Sequence, residues 1–377
     1  MADSSFRIAG PAHSIYVDSP RWEPGFLHKI IVADASYSRP AKRLVYIDDP
    51  TVKPHHLPDG KPIIESHNPG AEPALSPSLH CYFAENVVVS GNGLMWVDDE
   101  LVIINDIMPS YWRDLLSGHS HQSTPETDVH LPVRTITGPC ICGLGWGGQI
   151  YGHVLLEILP RIIVALEVMK DLQRPRLLLR NDTPEWALSM LHVVGVSPAD
   201  IEWFDPMSER VKLEQGIYPG NMGTTHPYLE TIYSSIDQNF DAPERSGIYY
   251  MSRAAFRHRR GCVNERDLEK IAEQEFGAEV VRPEELPWLE QIRLFKTAKA
   301  VVGLTGSALH TALVSDDGLT VGSIGVINRV QSAIATLRGQ RMAYQVGFPL
   351  SDSYEVPEKQ FREMMVAVSY NTTVSKP

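Results

Sequence analysis

Four cysteines in 377 residues are too few for a disulfide-stapled scaffold. Cys140 and Cys142 stand one residue apart, closer than the usual C-x₂₋₄-C zinc spacing, and no second pair follows. Reduced thiols in a cytoplasmic protein are therefore expected. Positive charge is also scarce. The formal net charge is −12, so the basic footprint of a nucleic-acid binder is missing, and anionic lipid is repelled. No uninterrupted apolar stretch reaches the ~20 residues of a membrane span. The longest run, Val154 to Met169, is broken by Glu157, Arg161 and Glu167, which leaves at most peripheral membrane contact. The first residues, Met1 to Gly10, lack a basic start followed by an apolar run, so no signal peptide is expected. Finally, no Asp-x-Asp occurs anywhere. A diphosphate held through a carboxylate-bound metal would usually need such a pair, so neither a metal nor a cofactor is expected.

What remains is ordinary globular composition, 43% hydrophobic and 21% charged, which argues against long disordered regions. The length suits about two domains of ~150–200 residues each. The first ~135 residues are rich in proline and short β-type runs such as Arg43–Ile47 and Asn86–Val89. Gly91–Gly93 reads as a turn. Asp98-Asp99 reads as a second turn, between hairpin strands Leu94–Val97 and Leu101–Ile104. Ser117 to His130 reads as a solvated polar loop, although it carries His119, His121 and His130.

From Gly152 the pattern alternates between helices and strands. Helices are predicted from about His153 to Leu172, from Thr183-Pro184 to Gly195, from Tyr228 to Phe240, from Glu265 to Phe276 and from Leu289 to Ala298. Strands are predicted at Arg176–Leu179, Ile201–Phe204, Ile248–Met251, Glu279–Val281, Ala300–Gly303 and Thr320–Ile324. A helix starts near Ser307, and an amphipathic helix runs from Glu358 to Val368. Such alternation implies parallel sheets covered on both faces. The fold class expected is α/β: two Rossmann-like domains facing a cleft, with a β-rich N-terminal portion.

Three groups of residues can carry chemistry. His153, Glu157 and Arg161 are spaced by four on an otherwise apolar helix, so a regular helix puts them on one stripe. A polar stripe on a buried helix must find partners or line a cleft. A His/Glu acid–base pair and a structural Glu157–Arg161 ion pair fit this spacing equally well. Gly143–Gly148 is glycine-rich and leaves room for close approach to the start of that helix. The second group is Gly303 to His310, a strand–turn–helix junction that offers free N–H groups to an anion, or simply lets a helix pack closely on a sheet. It matches neither a dinucleotide fingerprint nor a hydrolase nucleophile elbow. The third is Arg253 with Arg257, Arg259 and Arg260, just past a predicted strand, where α/β sheets bind ligands. Arginines clustered there in an acidic chain suit phosphate or carboxylate.

Taken in order, these segments resemble glycosyltransferase family 61, whose bacterial members include capsular-polysaccharide biosynthesis proteins. Tyr151 to Arg161 is similar to the family's "H-x-x-x-E…L-P-R" segment. Ile248 to Arg253, then Arg259-Arg260 and Asn264-Glu265, is similar to its "isR…R…NE" stretch. Glu290–Ile292 is similar to "eQi", and Val301 to Leu309 to "vvGxHGAxL". The resemblance covers about Gly145 to Gly325. Thr305 stands where the family usually has histidine, Ser307 where it has alanine, and His310-Thr311 where it has Thr-Asn.

The resemblance implies a GT-B arrangement. Residues 1–222 would form the acceptor-side domain and 223–377 the nucleotide-sugar domain, with the C-terminal helix returning to the first. It implies inverting transfer from a nucleotide sugar to a glycan or lipid-linked acceptor in cell-surface polysaccharide synthesis. Glu157 is the expected base, with His153 beside it. Arg253, Arg259, Arg260, Asn264, Glu265, Gly303, Thr305, Gly306, Ser307 and His310 are the expected donor-binding residues. The departures at Thr305, Ser307 and Thr311 keep two other readings open: a GT-B-like polysaccharide pyruvyl transferase, and a non-catalytic glycan-binding or assembly protein. Whether the chain forms a homo-oligomer stays open.

Overall fold

A computed structural model describes residues 27–33, 36–37, 43–47, 75–76, 78–102, 128–145, 147–171, 174–222, 226–237, 244–255, 261–325, 329–349 and 353–370. The chain divides into two compact units. Met1–Ala35 and Pro77–Gly223 make the first, and Ser36–Ser76 and Thr224–Pro377 the second. Strands are numbered along the chain through both.

The first unit holds β1 (Leu27–Ala33), β5 (Leu79–Ser90), β6 (Leu94–Val97), β7 (Glu100–Val102), β8 (Val133–Cys142), β9 (Arg176–Arg180), β10 (Ile201–Phe204) and β11 (Arg210–Pro219) in one sheet, ordered β10-β9-β8-β11-β5-β6-β7. β1 pairs with β5 off that path. The half from β10 to β11 is parallel, and the half from β5 to β7 is antiparallel. The β6–β7 hairpin closes where predicted. Val97 pairs with Glu100, and both Asp98 and Asp99 take positive φ (51° and 60°), as a two-residue type I′ turn requires. Pro139 sits inside β8, an unusual place for proline. Pairing with β9 begins only at Cys140, and the ladder to β11 is irregular beside it. Helix α1 combines Tyr151–His153, a π-helical turn Val154–Ile158, and Leu159–Met169. Helix α2 (Glu185–Val193) begins one residue after Pro184, whose ψ of 148° is extended. Tyr82, Trp96, Cys142, Phe204 and Tyr218 lie in the core.

The second unit is a six-stranded, wholly parallel sheet. Its strands are β3 (Arg43–Ile47), β12 (Ser246–Met251), β13 (Glu279–Val281), β14 (Ala298–Leu304), β15 (Thr320–Gly325) and β16 (Arg341–Val346), in the order β13-β12-β14-β15-β16-β3. Two small pairs stand apart: β2 (Ser36–Tyr37) with β4 (Leu75–Ser76), and β17 (Phe348–Pro349) with β18 (Tyr354–Glu355). The helices are α3 (Tyr228–Asp237), α4 (Glu265–Phe276), α5 (Trp288–Thr297), α6 (Arg329–Arg338) and α7 (Glu358–Tyr370). The predicted alternation is present, and α4 and β13 have the predicted ends. The helix expected near Ser307 is a 3₁₀ helix, Ser307–Val314. The C-terminal helix α7, for which a return to the first domain is expected, packs Phe361, Met364, Met365 and Val368 into this unit's core with Tyr250 and Leu268. Phe361 meets Tyr250 edge-on, with ring centres 6.0 Å apart.

Among the described residues no helix is long and apolar enough to cross a membrane. The four thiols are free. Burial pushes those of Cys81, Cys140 and Cys262 up to about 12 and raises that of Cys142, so none is primed as a nucleophile.

Candidate active site

In the first unit, α1 follows β8 through the loop Gly143–Ile150. The π-turn of α1 bonds the Leu159 N–H to the Val154 carbonyl, five residues back, and so places a wider turn over Val154–Ile158, between His153 and Arg161. This ends the stripe that a regular helix would give. His153 Nδ1 and Glu157 Oε1 are 2.9 Å apart, on side chains 29% and 15% exposed. Arg161 instead is buried and donates from Nε to the Pro219 carbonyl at 2.9 Å. Of the two pairings that the spacing allows, the structure has His153–Glu157. An ionised carboxylate can only accept, so with Glu157 ionised this contact needs the ring tautomer that carries a proton on Nδ1.

The loop fixes this pair from above. Gly147 has φ 77°, and a β-carbon there would lie 2.6–2.8 Å from the His153 ring and Cβ. Glycine is therefore demanded twice, by conformation and by contact. Gly147→Ala is expected to cost about 1–3 kcal/mol of stability and to push the imidazole off Glu157. Urea unfolding would measure the first effect and the activity of the folded fraction the second.

In the second unit, the chain runs from β12 outward to β13, then back across to β14, β15 and β16. The order therefore reverses between β12 and β14. Ligands bind outside the carboxyl ends of strands at such a switch point. Two of the predicted groups meet there. Arg253 follows β12, and the turn Thr305–Ser307 follows β14. Arg253 Nη1 donates to the Thr305 carbonyl at 2.8 Å. Its guanidinium covers Gly306 so closely that a β-carbon there would lie 2.5 Å from Nη1. Nη2 and Nε have no hydrogen-bond partner among the described residues. Gly306 is extended, with φ 164° and ψ 175°, and leads into the 3₁₀ helix at Ser307. The junction thus sets a guanidinium beside the opening amides of a helical segment, a combination suited to an anion.

Glu265 lies directly behind. It is buried and accepts the Arg253 backbone N–H at 2.7 Å, and burial pushes its carboxyl up to about 7. The raised value means that the folded state keeps a proton which the unfolded chain releases above its ordinary 4.5. Stability should therefore fall as pH rises from about 4.5 to 7, by about 1–3 kcal/mol. Denaturation midpoints at pH 5 and pH 8 should show this loss in the native chain and not in Glu265→Gln.

Other predicted residues hold the scaffold. Asn264 spends its amide on Val356, donating to the carbonyl at 2.8 Å and accepting from the N–H at 3.1 Å. Gly303 lets β14 approach β12, since a β-carbon would lie 2.8 Å from the Met251 carbonyl oxygen. Thr305 Oγ1 lies 3.0 Å from both Ser323 Oγ and the Ile324 carbonyl. His310 is buried inside the 3₁₀ helix. Gln291 of the "eQi" segment is buried and clamps the Pro283 and Leu286 carbonyls, at 2.9 and 3.1 Å. Arg259 and Arg260, like Arg257, His119 and His121, lie outside the described residues. Among the described residues no group of three or more His, Cys, Asp or Glu side chains could hold a metal ion.

Sequence reasoning did not anticipate the Ser252–Glu269 hydrogen bond, which ties the end of β12 to α4. A serine and a glutamate 17 residues apart carry no pattern that would reveal it.

A parallel sheet with an arginine and a glycine turn at its switch point defines an α/β ligand-binding domain. Residues 151–322 match the family model Glycosyltransferase 61, a span that includes both α1 and this switch point. This span is a glycosyltransferase family 61 domain and supports a glycosyltransferase, a class of enzyme that binds a donor and an acceptor. No curated protein sequence matches the chain.

Proposed function

We propose that the chain is an inverting GT-B glycosyltransferase that moves a sugar from a nucleotide-sugar donor to a hydroxyl of a glycan or lipid-linked acceptor. The setting is cell-surface polysaccharide synthesis of the bacterial capsular kind. The chain works in the cytoplasm or at the inner membrane face, without a metal. The observation that carries the donor half is the meeting of Arg253 with Thr305 and Gly306 at the β12/β14 switch point.

The reaction is a single displacement. The His153–Glu157 pair, with Glu157 as the base, takes the proton of the acceptor hydroxyl. That oxygen bonds to the anomeric carbon as the bond from this carbon to the phosphate oxygen breaks. The nucleoside diphosphate departs with the electron pair. Arg253 and the amides of Gly306 and Ser307 offset its growing negative charge. Arg259 and Arg260 are the further cations proposed for this anion, and Glu265 fixes the backbone of Arg253. The first unit takes the acceptor and the second the donor.

A thermal-shift panel of UDP, GDP, CDP, CMP and ADP, with phosphoenolpyruvate alongside, tests the donor assignment. A ligand at ~100 times its Kd stabilises the fold by ~2.7 kcal/mol. A shift with one nucleotide, lost in Arg253→Ala, is the expected result. A response to phosphoenolpyruvate alone would overturn it in favour of pyruvyl transfer, and retained glycan binding without any such response would favour a non-catalytic binding protein.

A further inference from the structure

The first unit has a cavity of about 430 Å³ that the reaction above does not use. It lies at the carboxyl ends of β8 and β9, between the loop after β8, the first turns of α1, and α2. This is the position where parallel strands present ligands, and the volume is in the range of small-molecule sites. Its inner wall is aliphatic, with Leu144, Val154, Ile158, Leu179 and Leu191 all buried. Ile150, 44% exposed, extends that lining to the outside.

Polar groups stand together at one part of the wall and neutralise each other. Arg180 grips Asp182 in two bonds, Nε to Oδ1 at 2.8 Å and Nη2 to Oδ2 at 2.6 Å. Arg180 Nη1 donates to Asn92 Oδ1 at 2.5 Å, and Gln149 Nε2 donates to the Asp182 carbonyl at 3.3 Å. The guanidinium holds the Asp182 carboxyl below its ordinary range. The group is therefore ionised but carries no net charge. It offers oxygen lone pairs and amides to hydroxyls and no unpaired ion to a charged head.

One residue of the lining is smaller than the fold needs. A β-carbon at Gly148 would make only ordinary contacts, at 3.6 Å from the Gly145 carbonyl oxygen and 3.7 Å from Ile158 Cδ1, and the backbone there demands no glycine. Its neighbour Gly147 is forced, as shown above. A side chain at 148 would extend toward Ile158 and into the cavity, so glycine here keeps space open.

We propose that this cavity is an acceptor subsite for an amphiphile. The aliphatic portion lies against Val154, Ile158 and Leu191, and an uncharged, hydroxyl-bearing head lies at Asp182, Asn92 and Gln149. The acceptor's aglycone, and not its sugar alone, then supplies affinity. The proposal rests on the reading of the first unit as the acceptor side.

The test is titration of the full chain with n-octyl β-D-glucoside below its micelle threshold, methyl β-D-glucoside and sodium octanoate, followed by calorimetry. The nucleotide shift is run in parallel. Octyl glucoside should bind at least about tenfold more tightly than either comparator, in line with the apolar area its chain buries. Gly148→Leu should abolish that preference while the nucleotide shift persists. Ala187→Leu, which fills the cavity from α2, serves if Gly148→Leu folds poorly. Equal binding of the two glucosides, no binding of either, or unchanged affinity in a folded filling variant would each overturn the subsite. Octanoate binding as tightly as octyl glucoside would overturn the uncharged head. A missing nucleotide shift with the octyl preference intact would instead count against the donor reading and leave the subsite standing.

Discussion

Glu157→Gln is expected to lower turnover by about 10²–10⁴-fold, the usual contribution of a positioned general base. Nucleotide binding should hardly change, because Glu157 and Arg253 belong to different units of the chain. Glutamine keeps the size and can still accept from His153 Nδ1, so the 2.9 Å contact can survive while the negative charge is gone. A loss of transfer then reports charge, not collapse of the helix. His153→Gln is the companion. If Glu157 takes the proton directly, the histidine variant retains more activity than the glutamate variant. If the ring relays it, the two losses are of similar size. Single-turnover rates at saturating donor, across pH, separate the cases. Loss of nucleotide binding in Glu157→Gln would make the residue structural or donor-side.

Arg253→Ala should be nearly as damaging, through a different parameter. Removing a preorganised donor to a developing oxyanion typically costs about 10²–10³-fold in rate. Here the guanidinium also braces the Thr305 carbonyl and covers Gly306, so the turn loses its neighbour as well as its charge. Both kcat and nucleotide affinity are therefore expected to fall. Arg253→Lys should restore little, since one ammonium cannot bond Thr305 and present further donors in a plane. Initial-rate kinetics with varied donor, beside the thermal shift, would check both. A variant that binds nucleotide normally would remove Arg253 from the donor site.

Much of the architecture was legible because it is local. Alternating apolar runs and capped helices announce a parallel α/β sheet, and Asp98-Asp99 announces its hairpin. The meeting of Arg253 with Gly306 could also be anticipated, because both follow strands and strand ends share one edge of a sheet. What escaped depends on partners distant in sequence, or on departures from ideal geometry. The π-turn in α1 leaves no mark in residue spacing, so a stripe read at four-residue steps included Arg161 wrongly. Strand β8 was hidden by Pro139, which is acceptable only because of where β9 begins. Asn264 and Gln291 belong to family-like motifs, yet both serve backbone carbonyls. A motif shows that a residue belongs, and not whether it touches substrate. Strands β11 and β16 and helix α6 went unassigned, although Val211 and Leu213 alternate with polar residues in β11.

The edge strand β3 has a consequence for how the protein is made. It pairs in parallel with β16, in a register that sets Arg43 beside Arg341. The segment bearing β3 therefore leaves the ribosome roughly 300 residues before the strand that will hold it, an extreme sequence separation for a native pairing. Synthesis is vectorial, and during that wait the intervening residues of the first unit are produced and can fold. Completion of the second sheet is thus deferred until the last part of the chain has emerged. A fragment starting at Thr224 would leave the edge of β16 without its partner and open to pairing with another molecule.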